Sequence, residues 1–325
     1  MAIICIAANS CIFNKSGQKD ENDLSSLNLK GDVRLLTETM NITNSIDEKA
    51  VNKQIHLFDK KGKLIEEDYY RKDTLLSSKI VYKYDGYGNL VEKRIMDDAG
   101  NTDSKTIYKY DENNRLYQKL DLNHLSMLVY RETYKYDRNH YEVERFIYRP
   151  SQSEWNIIMT SDDNGNLKKE SFNTIIGGSV IKIVYTNDKK GNKLEEKYFK
   201  NNGSIGTRYT HKYDKNGNLT ETVIYSPDDK IISSTLFRYD NKLKQVETYY
   251  GVSETNPEPD QIQNFDEHGN LTEEIIKNGL ATSRKKCEYL YDERGNWIKK
   301  TITVYQAQSE EVASVSSFSR IIEYF

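Results

Sequence analysis

Tyr84-Asp85-Gly86-Tyr87-Gly88-Asn89-Leu90 is the stretch that decides the fold. An aromatic residue is followed by Asp, two variable residues, Gly, Asn and an apolar residue. The Asp side chain bonds its own backbone two residues on, and Gly takes the positive φ that a tight hairpin requires. Upstream, Tyr82 and Tyr84 flank Lys83, a period-two alternation with aromatic enrichment that reads as a strand with one wet face. Downstream, Leu90-Val91-Glu92-Lys93-Arg94-Ile95 reads as a second strand, and Asp97-Asp98-Ala99-Gly100-Asn101 as a looser closing turn.

The unit returns in full as Tyr213-Asp214-Lys215-Asn216-Gly217-Asn218-Leu219, as Phe265-Asp266-Glu267-His268-Gly269-Asn270-Leu271 and as Tyr291-Asp292-Glu293-Arg294-Gly295-Asn296-Trp297. Degenerate copies sit at Asp59, Asp111, Asp137, Asp162, Asp188 and Asp240, so successive Asp residues are 26 apart, except for 25 between Asp137 and Asp162. Ten copies at one period tolerate no large insertion, and each unit is one rigid supersecondary piece. The expectation is an all-β fold: tandem 26-residue β-hairpin repeats forming one long antiparallel meander of about twenty strands. An open twisted sheet rarely exceeds about 10 strands without curling, and neighbouring strands rotate by about −20 to −25°. The sheet is therefore expected to curl into an open spiral or half-shell, tyrosines concave and Lys/Glu outward; an elongated single-layer ribbon is the alternative. Only 36% of the 325 residues are hydrophobic, yet 25 are Tyr. A Tyr ring can be buried while its hydroxyl stays hydrated, which suits a thin, half-wet interior.

The Tyr-Asp-x-x-Gly-Asn-Leu units resemble the YD repeats of the Rhs family over residues 33–325. That resemblance implies a β-sheet wound into a hollow shell. Large Rhs proteins carry a variable toxin after a core segment, and the shell encloses it. Ten repeats are too few for a large cocoon. The chain more closely resembles the short, stand-alone YD-repeat proteins found as lipoproteins or secreted proteins of Bacteroides-like bacteria. The resemblance is specific for architecture and says little about activity.

Met1-Ala2-Ile3-Ile4-Cys5-Ile6-Ala7-Ala8 is a short apolar run, followed by Asn9-Ser10-Cys11 and a polar tract. An apolar run ending in small residues before Cys has the form of a lipoprotein signal segment. The expected organisation is a signal segment at 1–11 with Cys11 lipidated, a disordered tether at 12–30 and a single repeat domain at 31–325. Localisation then follows: the cell envelope, at the outer membrane, with membrane contact only through the lipid anchor. Lys+Arg 47 against Asp+Glu 50 gives a net charge of −3, which offers no footprint for nucleic acid. Loss of Cys5 and Cys11 leaves Cys287 alone, expected to be buried on a strand rather than reactive.

No catalytic constellation is legible. His56 and His211 stand three before an Asp, where other units have Tyr, and no His or Cys pair has metal-ligand spacing. Stacked turn Asp residues lie two strand spacings, roughly 10 Å, apart, too far to share a calcium ion. Asp85, Gly88, Asp214, Gly217, Asp266, Gly269, Asp292 and Gly295 are therefore structural turn residues. No enzyme activity, cofactor or metal is expected. The remaining candidate is the tyrosine row. Tyr82, Tyr84, Tyr108, Tyr110, Tyr134 and Tyr136 line its most regular part and would stack on a glycan or grip a protein partner. The expected function is a binding or scaffold role for a carbohydrate or protein partner. The alternative is an Rhs-like shell that shields or presents another polypeptide.

Overall fold

The computed structural model describes residues 23–43, 49–71, 74–137, 142–150, 155–174, 180–240, 244–251, 258–279, 281–307 and 309–325. The signal segment, Cys11 and the first part of the tether lie outside them. One short helix, α1 (Asp23–Ser26), precedes 22 strands. The first eight are β1 (Val33–Thr43), β2 (Lys49–Phe58), β3 (Leu64–Arg71), β4 (Leu75–Tyr84), β5 (Leu90–Met96), β6 (Thr102–Tyr110), β7 (Leu116–Asn123) and β8 (Leu128–Tyr136). Then come β9 (Glu142–Tyr148), β10 (Trp155–Ser161), β11 (Leu167–Thr174), β12 (Val180–Asn187), β13 (Lys193–Phe199), β14 (Ile205–Tyr213) and β15 (Leu219–Tyr225). The last seven are β16 (Ile231–Tyr239), β17 (Gln245–Tyr250), β18 (Gln261–Phe265), β19 (Leu271–Asn278), β20 (Ala281–Tyr291), β21 (Trp297–Tyr305) and β22 (Val312–Tyr324).

Every strand pairs antiparallel with its sequence neighbours, and β1 also pairs with β22. The sheet therefore closes into a barrel, which corrects the expected open spiral or half-shell. The cause lies at the two ends of the chain. Each unit is a strand leading into Asp and a strand leading out. Among the described residues, β22 has the place of a strand leading into a turn and β1 that of a strand leading out of one, and the two pair with each other. Phe325 N–H donates to the Asp32 carbonyl at 2.9 Å, just as Asp85 N–H donates to the Asn89 carbonyl at 3.0 Å. Tyr324 faces Val33 across a register shift, as Tyr84 faces Leu90. The termini thus form an eleventh hairpin whose turn is cut open, and closure removes both sheet edges.

The turns use more of the motif than Asp and Gly. Asp85 Oδ1 accepts from the N–H groups of Tyr87 and Asn89, both at 2.9 Å, and Oδ2 accepts from Asn89 Nδ2 at 2.9 Å. Asp214 repeats the set with Asn216 and Asn218. Asp266 and Asp292 hold the same two N–H groups in their own turns. The Asn is thus a clamp on the carboxylate. Gly88, Gly217, Gly269 and Gly295 have φ of 89°, 92°, 79° and 77°. In the unit at Asp111, Asn114 fills that slot at φ 64°. A Cβ at Gly217 would meet nothing within 4 Å, so a substitution there costs backbone strain alone. Gly217→Val should lower stability by about 1–2 kcal/mol, while Gly217→Asn should cost a few tenths. Urea-unfolding midpoints compare the two, and equal losses would overturn the left-handed turn as the cause.

The tyrosine face is the enclosed one. Along β8, Tyr130, Glu132, Tyr134 and Tyr136 are buried or half-buried while Val129, Arg131 and Lys135 are exposed. Leu36, Phe58, Tyr134, Val143, Met159, Ile183 and Cys287 on this face are buried, whereas Val129, Leu290 and Ile321 on the other are among the exposed apolar residues. This is the inner face. Cys287 is 5% exposed, as expected, and burial raises its thiol pKa. Around the described part of this wall, side-chain clusters join only strands adjacent in the barrel, as in Tyr134, Val143, Ile157 and Met159. About 22 strands at about 4.8 Å, with ordinary tilt, enclose a diameter on the order of 40 Å, too wide for side chains to fill.

At the rim carrying the Asp turns, α1 departs from the expected tether. Leu24 and Leu29 are buried against Val33, Leu36 and Phe58, with Leu64, Ile322 and Tyr324 packed alongside. Asp23 Oδ2 accepts the Leu64 N–H at 2.6 Å. From Asp23 onward the segment expected to be disordered therefore belongs to the fold, because its leucines cover apolar wall at the seam.

Candidate functional site

Three rows of side chains line the inner wall. The first is the residue before each Asp. Tyr84, Tyr110 and Tyr136 donate their hydroxyls to the main-chain carbonyls of Leu64, Leu90 and Leu116 at 2.8, 3.0 and 2.7 Å. Tyr213 and Tyr239 do the same to Lys193 and Leu219 at 3.0 and 2.8 Å. The repeated tyrosine thus stitches each hairpin to the preceding one, for about 1 kcal/mol per bond. With Tyr82, which donates to Glu67 at 2.6 Å, four of the six candidate ligand tyrosines spend their hydroxyls on the wall itself.

Burial pushes Tyr110 and Tyr136 up to about 12, with nearby Tyr108 and Asp85 adding to the shift at Tyr110 and Asp111 at Tyr136. A phenol whose folded pKa exceeds its unfolded value of 10.0 stabilises the fold fully below pH 10, and that contribution is lost as pH rises through 12. Phenolate absorbance should thus lag during an alkaline titration and then rise together with the loss of β circular dichroism. A smooth titration of all tyrosines at the ordinary value, with the fold intact, would contradict the stitched row.

The second row lies three residues before each Asp and the third lies eight after; they face each other in register. The pairs are His56↔Glu67, Tyr82↔Lys93, Tyr108↔Lys119, Tyr134↔Arg145, Met159↔Glu170 and Tyr185↔Glu196, continuing around the barrel. At three hairpins the second-row group reaches back to a third-row carboxylate of the preceding one, whereas Tyr289 donates to the Leu271 carbonyl at 3.1 Å and leaves Glu274 to Gln263 and Lys285. Tyr82 donates to Glu67 Oε2 at 2.6 Å, Tyr185 to Glu170 Oε2 at 2.6 Å, and His211 Nε2 lies 3.3 Å from Glu196 Oε1. Glu196 is buried, which raises its pKa, but His211, Lys193 and Tyr198 together hold it at about 2. Sequence reasoning missed the third row. Its signal was position alone, since the residue eight after Asp is Glu, Lys, Arg or Thr.

The structure brings Tyr82, Tyr84, Tyr108, Tyr110, Tyr134 and Tyr136 together on one inner sector, β4 to β9. Among them Tyr108 and Tyr134 make no hydrogen bond to the described residues. Lys93, Lys119 and Arg145 stand between them. Lys93 Nζ lies 5.5 Å from the Tyr82 ring centroid, and Lys119 Nζ lies 5.2 Å from that of Tyr130 and 3.6 Å from Asp121 Oδ2. Arg145 is paired with Glu132, which is 3% exposed. The expected turn residues stay at the rim, clamping hairpins. Trp297 lies at the seam beneath the Arg320 guanidinium, 3.6 Å from its ring centroid.

The outer face carries ion pairs at mid-strand: Lys79 with Glu66 at 2.7 Å, Arg94 with Glu92 at 2.7 Å, Lys197 with Glu195 at 2.7 Å and Arg284 with Glu273 at 2.9 Å. A lipid-facing barrel needs an unbroken apolar band about 25 Å tall on that face. These charged rows interrupt such a band. Among the described residues no helix is long and apolar enough to cross a membrane, and no group of three or more His, Cys, Asp or Glu is placed to hold a metal ion.

No family model matches the chain, and no curated protein matches it. Similar solved structures include a porin-like protein from Bacteroides uniformis, at 10% identity and TM-score 0.30, over 90% of this chain and 96% of that one. A TcdB2-TccC3 structure aligns at 12% identity and TM-score 0.31 over 92% of this chain, which spans only 17% of that one. A structure described as the eukaryotic initiation factor aligns at 8% identity and TM-score 0.27, over 87% and 90%. At these scores the likenesses assign no function, and the reading of the lumen rests on its own residues.

Proposed function

We propose that the protein is a non-enzymatic binding and scaffold protein of the cell envelope, tethered through a lipid on Cys11, whose tyrosine-lined lumen receives a glycan or a polypeptide. The observation that carries this reading is the hollow, polar barrel, with Tyr108 and Tyr134 on its inner wall without a hydrogen-bond partner among the described residues. Aromatic rings with spare hydroxyls stack on sugars or apolar side chains and donate to whatever lies against them. Closure of the wall supports the second reading, a small shell that shields a polypeptide.

The test is a glycan array probed with the soluble chain, wild type against Tyr108→Ala. Binding by the wild type that falls at least about tenfold in the variant supports the lumen as the site. Equal binding by both removes it. For the anchor, metabolic labelling with palmitate should mark the wild type and not Cys11→Ser, and label retained in the variant would exclude that Cys.

A further inference from the structure

The inner wall is not uniform around the barrel. From Glu67 the third row reads Glu67, Lys93, Lys119, Arg145, Glu170, Glu196. Where it is acidic, the wall satisfies itself: Glu67 accepts from Tyr82, Glu170 from Tyr185, and Glu196 faces His211. By the same geometry Tyr108 would reach back to position 93 and Tyr134 to position 119. Both positions hold Lys, which has no acceptor. The acceptor is missing at both of these positions, which leaves the two phenolic hydroxyls without a hydrogen-bond partner among the described residues beside the Lys93 ammonium, which has no carboxylate within 4.0 Å among them. Lys119 keeps only the 3.6 Å contact to Asp121, which also accepts from Thr106 at 2.7 Å.

We propose that the β4–β9 sector of the lumen is a binding site for an acidic oligosaccharide, with sugar carboxylates or sulfates at Lys93 and Lys119 and the hydroxyls of Tyr108 and Tyr134 donating to ring or hydroxyl oxygens between them. The assignment deepens, and rests on, the binding function proposed above. Charge complementarity selects the occupant. Lys93 and Lys119 stand two strand spacings apart, about 10 Å, so they suit the carboxylates of every second sugar along a uronate chain. A nucleic acid carries one phosphate per nucleotide and calls for a continuous cation track. No such track exists here, because Lys119 contacts Asp121 and Arg145 is paired with Glu132, which stands in register with Lys119. The interleaved tyrosines offer neutral donors and ring faces, which suit sugars better than the side chains of an acidic peptide.

The experiment titrates the full chain with oligogalacturonate by calorimetry, alongside neutral galactan, polyglutamate and oligo(dT). The inner variants are Lys93→Ala/Lys119→Ala and Tyr108→Phe/Tyr134→Phe, the second of which keeps the rings and their packing. Lys109→Ala/Lys135→Ala removes the same charge from the exposed outer face and is the control. Circular dichroism confirms the fold of each. The expected result is oligogalacturonate binding that weakens with salt and falls at least about tenfold in both inner variants, with the control unchanged. Wild-type affinity in the double Lys variant overturns the proposal. So does polyglutamate or oligo(dT) binding as tight as oligogalacturonate, which would reassign the sector to those polyanions. Neutral galactan bound as well as the acidic chain, and lost in the Tyr variant, overturns the acidic assignment and leaves the lumen as a glycan site. Binding of none of the four overturns the assignment, and the array above then decides separately whether the lumen function stands.

Discussion

A chain ending at Glu311, which lacks β22, is expected to lose its discrete size and polymerise. β22 is held on one side by β1 over ten register pairs, Val33↔Tyr324 to Thr43↔Val315, and on the other by β21 over seven, Lys299↔Ser319 to Tyr305↔Val312. Without it, two long edges open at once. β1 presents 11 residues and β21 presents 9, each with unpaired N–H and C=O groups. β1 of one chain then fits β21 of the next. That contact is head-to-tail rather than two-fold, so it propagates instead of closing a dimer. The loss also uncovers the apolar cluster at the seam, because Ile322 and Tyr324 pack on Leu24, Leu29, Val33, Leu36 and Phe58. The combined effect is on the order of the whole stability of a domain, about 5–15 kcal/mol. Light scattering of the truncated chain against the full chain measures it. A truncated chain of the same size per molecule, with unchanged melting, would show that the seam contributes nothing. Adding residues 312–325 as a separate peptide should restore the original size.

What the sequence displays and what it hides follow from where the information sits. A hairpin is specified within seven residues, and Asp85, Gly88 and Asn89 carry it on their own side chains and φ angles. The strand number, the antiparallel order and the inward tyrosines follow from repetition and period-two alternation. Closure does not, because it depends on twist and curvature summed over 22 strands and on two half-units with no Asp between them. Val33 and Tyr324 look like ordinary ends until the register sets them opposite each other. Leu24 and Leu29 are two apolar residues in a polar tract, and only the seam they cover gives them a role. In the lumen, the tyrosines were visible as a row, but the split between Tyr84, tied to Leu64, and Tyr108, tied to nothing described, was not. That split depends on what stands fifteen or twenty residues upstream on the adjacent strand, where no periodic pattern marks the residue type.

Asn296→Ala should be strongly destabilising, at roughly 3 kcal/mol, because several partners lose their bonds together. Asn296 occupies the clamp position of the last complete turn, yet it is 0% exposed while the rim around it is wet. Its Oδ1 accepts the Lys30 N–H at 2.7 Å, and its Nδ2 donates to the Lys30 carbonyl at 3.0 Å and to the Tyr324 hydroxyl at 2.8 Å. Tyr324 in turn donates to Asp292 Oδ2 at 2.6 Å. One amide therefore fastens the segment entering β1, the end of β22 and the turn between β20 and β21. Alanine leaves the Lys30 N–H and C=O and the Tyr324 hydroxyl without the amide that met them, at a position where Asn296 itself is 0% exposed. A buried donor or acceptor left unsatisfied costs about 1–3 kcal/mol. The same change at Asn218, whose Nδ2 donates only within its own turn to Asp214 Oδ2 at 2.8 Å, removes one rim bond and should cost about 1 kcal/mol. The pair separates clamp from clasp. Equal shifts in the urea midpoint would mean that Asn296 serves its turn alone and that the seam is held by strand pairing without it. A shift at least twice as large at Asn296, with hydrogen exchange rising first in β1 and β22, would place the weak point of the closed wall where the chain's two ends meet.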